Sequence, residues 1–209
     1  MIALIMIGGK SSRMGGGIKS LLEFNNKNIF DRILEKLKPQ IGKIIINLNL
    51  DEEKFAKYEL PIIKDLKEGY LGPLAGIHSA MSWSIKHARE VEWLITVPGD
   101  TPFIPYDLIS NFQNKISKNL KIILAQSNKH THPIIGAWHI SLFTSLDMHL
   151  NKGTRKILTW ANLHPIDFIN YNFQKYDPFF NINTKDDLKK ARNIERNFLK
   201  KKLNNYRII

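Results

Sequence analysis

The chain has 209 residues, 43% hydrophobic and 24% charged, which is long enough to bury a sizeable core and ordinary for a folded domain. It contains no cysteine, which excludes a disulfide framework, a thiolate nucleophile and a cysteine-held metal, suits a reducing compartment and sets the expectation of a cytoplasmic protein. No apolar run approaches the roughly 18 to 20 residues of a bilayer span, while a net charge of +12 leaves nucleic acid, an anionic surface or a small polyanionic substrate open.

The opening run Ile2 to Ile7 is continuously apolar, lacks a preceding basic stretch and breaks into Gly8-Gly9, so it predicts a strand buried on both faces rather than a leader peptide. Phe30, Ile33, Leu34 and Leu37 repeat at helical spacing until Pro39, and Lys43 to Leu48 is rich in β-branched residues, as a strand requires. Gly72-Pro73 opens a helix expected to carry Leu74, Ile77, Met81 and Ile85 on its apolar side. A strand over Trp93 to Val97 and a helix from Asp107 to Ile116 follow. Strand Ile122 to Ala125 comes next, then a polar loop centred on Asn128 that holds His130 and His132, and then a strand from Pro133 to Trp138. Helices over Ser141 to Leu150 and Thr154 to Ala161 flank Gly153, Ile166 to Ile169 reads as a strand, and a last helix begins near Thr184, where Asp187 completes a weak capping box. The alternation predicts one α/β domain, a three-layer α/β/α sandwich of Rossmann-like kind around a mostly parallel sheet that turns mixed in its second half. In such sheets ligands sit at the carboxyl ends of the strands.

The turn after the first strand, Gly8 to Lys19, holds five glycines and the cations Lys10, Arg13 and Lys19. Glycines let backbone N–H groups approach phosphate oxygens, and cations offset the charge of a triphosphate. The spacing fits neither the P-loop nor the dinucleotide fingerprint. Asp100 follows a buried strand, in a loop restricted by Pro98 and Pro102, and is the candidate ligand for magnesium, which takes one or two carboxylates and completes its shell with water and phosphate oxygens. His130 and His132, with no carboxylate or cysteine beside them in sequence, read as a surface pair. The basic stretch Lys185 to Arg207 has no groove-reading motif or interleaved aromatics and reads as a solvated helix face.

Gly-Gly-Lys-Ser-Ser-Arg-Met-Gly-Gly at positions 8 to 16, closed by Lys19, resembles the signature loop of the molybdenum cofactor guanylyltransferase family, whose fold is that of the nucleotide-sugar pyrophosphorylases. Further segments match in order: Ile46-Asn47-Leu48-Asn49, Asp65 ahead of Gly69, Gly72 to Gly76, Pro98 to Phe103, His132-Pro133, Gly153-Thr154-Arg155-Lys156 and Asn181-Ile182-Asn183-Thr184. The resemblance implies that Met6, Ile7, Gly8 and Gly9 start the nucleotide loop, that Lys19 binds phosphate, and that Asn47 and Asp65 hold guanosine. It further implies that Asn181 or Asn183 adds a metal ligand or meets the acceptor, and that Arg155 and Lys156 anchor the pterin phosphate or dithiolene. The substrates implied are GTP with Mg²⁺ and molybdopterin. Molybdenum-cofactor biosynthesis proteins and recipient molybdoenzymes are the implied partners of a monomer that binds neither nucleic acid nor membrane.

A phosphate monoester acceptor has a second pKa of about 6, so its oxygen is already ionised at neutral pH and no general base is needed. The lack of any legible Ser-His-Asp or Cys-His constellation is consistent with that. Mg²⁺, Lys19 and Arg13 would offset charge on the departing pyrophosphate. The chain departs from the family in the loop, where Met6-Ile7 replaces Leu-Ala, Ile18 an acid and Ser20 a glycine, and beyond it, where Gly99 replaces a frequent cysteine. Ile18 removes a contact or brace from the nucleotide loop, while Gly99 is expected to leave the chemistry alone. The competing readings are a cytidylyltransferase or sugar-phosphate nucleotidyltransferase of the same fold, a nucleic-acid-binding protein, and a nucleotide sensor without turnover.

Overall fold

The computed structural model describes residues 1–8, 17–67, 69 and 72–199. The elements in chain order are β1 (Ile2–Met6), the small hairpin β2 (Glu23–Phe24) and β3 (Lys27–Asn28), α1 (Ile29–Leu37), β4 (Ile44–Asn47), β5 (Ile62–Ile63) and α2 (Pro73–His87). They continue with β6 (Trp93–Pro98), α3 (Leu108–Lys115), β7 (Ile122–Ser127), β8 (His130–His139), α4 (Phe143–Asn151), α5 (Ile157–Ala161), β9 (Ile166–Tyr171) and α6 (Lys185–Ile194). Short 3₁₀ turns cover Lys19–Leu21, Glu52–Tyr58 and Ile140–Leu142.

Seven strands form one sheet in the order β5-β4-β1-β6-β8-β7-β9. β1 pairs in parallel with β4 and β6, and β7 with β9, while β8 runs antiparallel to both neighbours, so the expected mixed three-layer sandwich is what the chain forms. Strand periodicity divides β1 between two cores. Ala3, Ile5 and Ile7 face a layer that includes α1, α3 and α6, whereas Ile2, Leu4 and Met6 face α2, α4 and α5. Full burial of a side chain such as Ile5 contributes roughly 1.5–3 kcal/mol, which is why an unbroken apolar run suits a strand covered on both sides.

From β1 the chain moves outward through α1 to β4 and then β5, and α2 returns it to β6 on the other side of β1. The strand order therefore reverses between β1 and β6, where an open α/β sheet forms a crevice at its carboxyl edge.

Helix signals are realised locally. The Asn28 side chain caps α1 by accepting from the Asp31 N–H, and Thr184 and Asp187 form both halves of a capping box on α6. Two expectations need correction. Ile85 lies on the exposed side of α2, whose buried face also takes Ser79, Ser82 and Ser84. The polar loop around Asn128 is only two residues long: Asn128 and Lys129 both have positive φ, the signature of a tight hairpin turn, so His130 and His132 belong to strand β8. The basic C-terminal stretch is helical through residue 199, passing from α6 into a π-helical turn over Glu195–Leu199, and its remainder lies outside the described residues.

Candidate active site

Four parallel strands end at one edge, and each delivers a side chain or loop there. β1 ends in Met6, Ile7 and Gly8, β4 in Asn47, β5 leads to Asp65, and β6 leads to Gly99 and Asp100. The β1 end is stitched to both neighbours: the Gly99 N–H after β6 donates to the Met6 carbonyl over 2.8 Å, and the Ile7 N–H donates to the Asn47 carbonyl of β4 over 2.9 Å. This edge is packed too tightly for larger residues. A Cβ on Gly76 would stand 2.4 Å from Asn47 Oδ1 and 2.8 Å from Met6 Cε, so Gly76 of α2 is what allows the Asn47 side chain to lie where it does.

On one side of the crevice, Asn47 and Asp65 form a single unit. Asn47 Nδ2 donates to Asp65 Oδ1 over 3.0 Å, and Asn49 Nδ2 donates to Asp65 Oδ2 over 2.9 Å while Asn49 Oδ1 accepts from the Asp65 N–H. Asn49 therefore fixes the Asp65 carboxylate as firmly as Asn47 does. The sequence placed Asn49 in a matching segment without giving it a role. The loop is further docked where the Leu66 N–H donates to the buried Ser79 hydroxyl.

On the other side, a strap formed by residues 177–183 crosses over the end of β6. The Ile182 N–H donates to the Asp100 carbonyl, Thr101 Oγ1 donates to Asn181 Oδ1 over 2.6 Å, and Lys19 Nζ donates to Asn183 Oδ1 over 2.7 Å. Lys19 and Asp100 come from opposite ends of the first hundred residues, yet they share one field. Burial pushes the Asp100 carboxyl up, and the Lys19 ammonium draws it part of the way back. The Thr101 hydroxyl gives its proton to Asn181, and its 3.4 Å contact with Asp100 Oδ1 is long for a hydroxyl bond. Ile7, Gly8 and Gly17 to Lys19, the flanks of the glycine turn, thus lie on the Asp100 side of the crevice. Gly9 and Arg13 lie outside the described residues.

Arg155 and Lys156 sit just before α5, with the Arg155 carbonyl 3.8 Å from where a Gly72 Cβ would stand, so this pair borders the start of α2. The Arg155 guanidinium is turned back on its own chain, donating to the Leu150 and Thr154 carbonyls. The structure does not bring this pair into contact with the Lys19–Asp100 cluster.

Among the described residues, no group of three or more His, Asp or Glu side chains stands together to hold an ion alone. A single carboxylate such as Asp100 fits a divalent ion that arrives on a triphosphate. One constellation went unnoticed in the sequence. Ser127, His132 and Asp177 meet, with Ser127 Oγ 2.5 Å from His132 Nε2 and 2.9 Å from Asp177 Oδ2. His132 thus has a carboxylate neighbour after all, and a serine, a histidine and an aspartate do converge. They do not make a nucleophile: Ser127 is 1% exposed, and the carboxylate binds the hydroxyl rather than the imidazole Nδ1.

Residues 3–166 match the MobA-like NTP transferase domain. The molybdenum cofactor guanylyltransferase of Nitrobacter hamburgensis is 35% identical over 190 residues, covering 90% of this chain and 91% of the relative, and that of Brucella ovis is 36% identical over 203 residues, covering 91% and 90%. Among solved structures, molybdopterin-guanine dinucleotide biosynthesis protein A from Archaeoglobus fulgidus superposes with a TM-score of 0.73 at 25% identity, over 93% of this chain and 98% of the other. A 4-diphosphocytidyl-2C-methyl-D-erythritol synthase from Anaerococcus prevotii, 13% identical with a TM-score of 0.71 over 93% and 95% of the two chains, shares the fold. A lysine and an aspartate sharing one field at the strand-order reversal, beside an asparagine strap, go with these likenesses, and the chain belongs to the MobA-like NTP transferase family.

Proposed function

We propose that the chain transfers GMP from GTP to the terminal phosphate of molybdopterin, releasing pyrophosphate and forming the guanine dinucleotide of the molybdenum cofactor, in the cytoplasm and with Mg²⁺. The observation that carries the reading is the convergence of Lys19 and Asp100 at the β1–β6 switch point, beside the separate Asn47–Asp65 unit. The names of the relatives at 35–36% identity supply the base and the acceptor.

In this reading the Asn47–Asp65 unit presents carboxylate and amide oxygens toward a guanine base or a ribose, both rich in donors. Its internal hydrogen bonds orient it before substrate arrives, which lowers the entropy lost on binding. Lys19, steadied by Asn183, supplies a fixed cation to the phosphates. Asp100 would hold the divalent ion, and the Asn181 and Asn183 side-chain oxygens, which accept from Thr101 and Lys19, would stand nearby as secondary donors. Bound on the triphosphate, Mg²⁺ supplies charge neutralisation along the line of displacement. The acceptor monoester is ionised at neutral pH, so the chain's task is positioning and charge rather than proton transfer. Arg155 and Lys156 border the start of α2, and Arg155 would have to turn from its present contacts to meet the pterin phosphate.

The test is pyrophosphate release from GTP and from CTP in the presence of Mg²⁺ and molybdopterin. GTP preference is expected, and CTP preference would overturn the guanylyl assignment. Lys19→Ala and Asp100→Ala should each lower the rate by about 10²-fold or more with the fold intact, and undiminished turnover in either removes that residue's role.

A further inference from the structure

The strap that touches Lys19, Asp100 and Thr101 is held at its far end by a partly buried polar cluster that the proposed reaction does not use. Asp177 Oδ1 accepts from the Phe179 N–H over 2.8 Å, which starts the strap, and Asp177 Oδ2 accepts from Ser127 Oγ. Ser127 is the last residue of β7, and His132 on β8 contacts the same hydroxyl. A hydroxyl has one proton, and the carboxylate is the stronger acceptor, so Ser127 donates to Asp177 and His132 Nε2 carries the hydrogen that Ser127 accepts. His132 also lies 4.9 Å from the Phe179 ring, and Phe179 is buried. The register of β8 breaks here: Leu124 pairs with Gly136 and Ala125 with His132, so residues 133–135 bulge out of the ladder and re-aim His132.

From these contacts we infer that Asp177, clamped by Ser127 and His132, is a positioning residue for the transfer reaction, fixing the strap so that Asn183 and Asn181 hold Lys19 and Thr101 in their working places. The inference rests on the proposed reading of the Lys19–Asp100 site. Its chain of contacts is continuous: Ser127 and His132 to Asp177, Asp177 to Phe179, and then four residues to Asn181, Ile182 and Asn183, each bonded to the site. Both carboxylate oxygens of Asp177 are used and Ser127 is fully buried, so the clamp has no slack. The Asn47–Asp65 unit hangs from β4 and the β5 loop and makes no contact with the clamp. Breaking the clamp should therefore disturb the transfer step and the hold of Lys19 on the phosphates, and leave the Asn47–Asp65 unit as it was.

The experiment compares Asp177→Ala, Ser127→Ala and Asp177→Asn. Asparagine keeps an acceptor for the Phe179 N–H, and its amide can donate to Ser127, whose proton then turns to His132, so the cluster survives with reversed polarity. In pyrophosphate release, the two alanine variants should lose about tenfold or more in kcat, and Asp177→Asn should retain most of the rate. A parallel measurement needs no turnover. Amide hydrogen exchange at Ile182, which donates to Asp100, should quicken at least about tenfold in both alanine variants and not in Asp177→Asn, with β1 and β6 amides unchanged. Unchanged exchange at Ile182 overturns the inference whatever the activity. Faster exchange with unchanged kcat also overturns it, reducing the clamp to a structural tie. If the unsubstituted chain releases no pyrophosphate with either nucleotide, the transfer reading fails, and with it the positioning role, while the exchange data still report whether the clamp holds the strap.

Discussion

Introducing a methyl group at position 99 tests how the floor of the site is packed. A Cβ there would stand 2.6 Å from Ile7 Cδ1, 3.2 Å from the Met6 carbonyl oxygen and 3.5 Å from Ser20 Cβ. The first contact is closer than carbon atoms tolerate. Ile7 must move, but it is 7% exposed, β-branched and packed in the core shared with α1, so few rotamers are open to it. Gly99→Ala should therefore cost about 1–3 kcal/mol by overpacking. Ile7→Ala alone should cost about 2–4 kcal/mol through lost burial and a residual cavity. With Ile7 already truncated, the new methyl meets only the 3.2 and 3.5 Å neighbours, fills part of the cavity and restricts the unfolded chain, an effect worth about 0.4–1 kcal/mol. The double variant should thus be no less stable than Ile7→Ala, which gives a coupling energy of about 2 kcal/mol. Urea unfolding of the four proteins at constant m-value measures it. Costs that add within about 0.5 kcal/mol would refute the packing argument. The pair also rationalises two departures together: where the family pattern has Ala and a frequent Cys, this chain has the large residue on β1 and the small one after β6.

Three further outcomes follow from groups whose charge is constrained. Lys36, buried beside the Phe103 and Tyr106 rings, has its pKa lowered to about 8 by burial first and the Arg32 guanidinium second. The unfolded chain holds that proton more tightly. The cost is therefore full below pH 8 and relieved as pH rises from about 8 to 10.5, a gain on the order of 3 kcal/mol that Lys36→Met should abolish in unfolding measurements at pH 7 and 10. Glu195 pairs with Arg32, which also donates to the Phe24 carbonyl and stacks on the Phe24 ring at 3.9 Å, so Glu195→Ala leaves a buried guanidinium and should cost about 3 kcal/mol, read as a lowered Tm; a change under about 0.5 kcal/mol would show the pair to be superficial. Asp100 must be ionised to hold a cation. With its pKa raised, the acid limb of the rate should lie above the ordinary aspartate range, and the Asp100 ¹³C carboxyl titration should move higher still in Lys19→Met; a shift downward would place Lys19 elsewhere.

Much of the sheet is legible in the sequence because its strands are buried on both faces and bounded by glycine, proline or polar residues. Ile2 to Ile7 and Trp93 to Val97 are examples. β2, β3 and β5 are two residues long and carry no periodicity to read. The extension of β8 back to His130 was hidden because Pro133 suggests a break. The three-residue bulge accommodates a residue without an N–H, and the ladder resumes beyond it. Within the site, Asp100 was open to inference from its place after the legible strand β6, and Asn47 and Asp65 from the family resemblance alone. Those that act on them from afar were not. Lys19 meets Asn183 across 164 positions, Thr101 meets Asn181 across 80, and Ser127 meets Asp177 across 50, and no local spacing encodes such pairs.

The same distinction bears on Ile18, where the family pattern places an acid. An acid at this position would brace the loop by charge. In the structure Ile18 instead packs against the core as the residue preceding the 3₁₀ turn Lys19–Leu21, and Leu21 and Leu22 pack beside it. Ser20 is 2% exposed, and its hydroxyl finds no partner among the described residues, a penalty of about 1–3 kcal/mol that the neighbouring apolar contacts must offset. The exit of the glycine turn is therefore fastened by burial, which salt does not screen, and Lys19 alone of the 3₁₀ turn directs its polar end into the cleft, to Asn183. A brace of this kind keeps Lys19 in place without adding an acid beside it, so the departure at Ile18 leaves the positive field around Lys19 less compensated rather than less ordered.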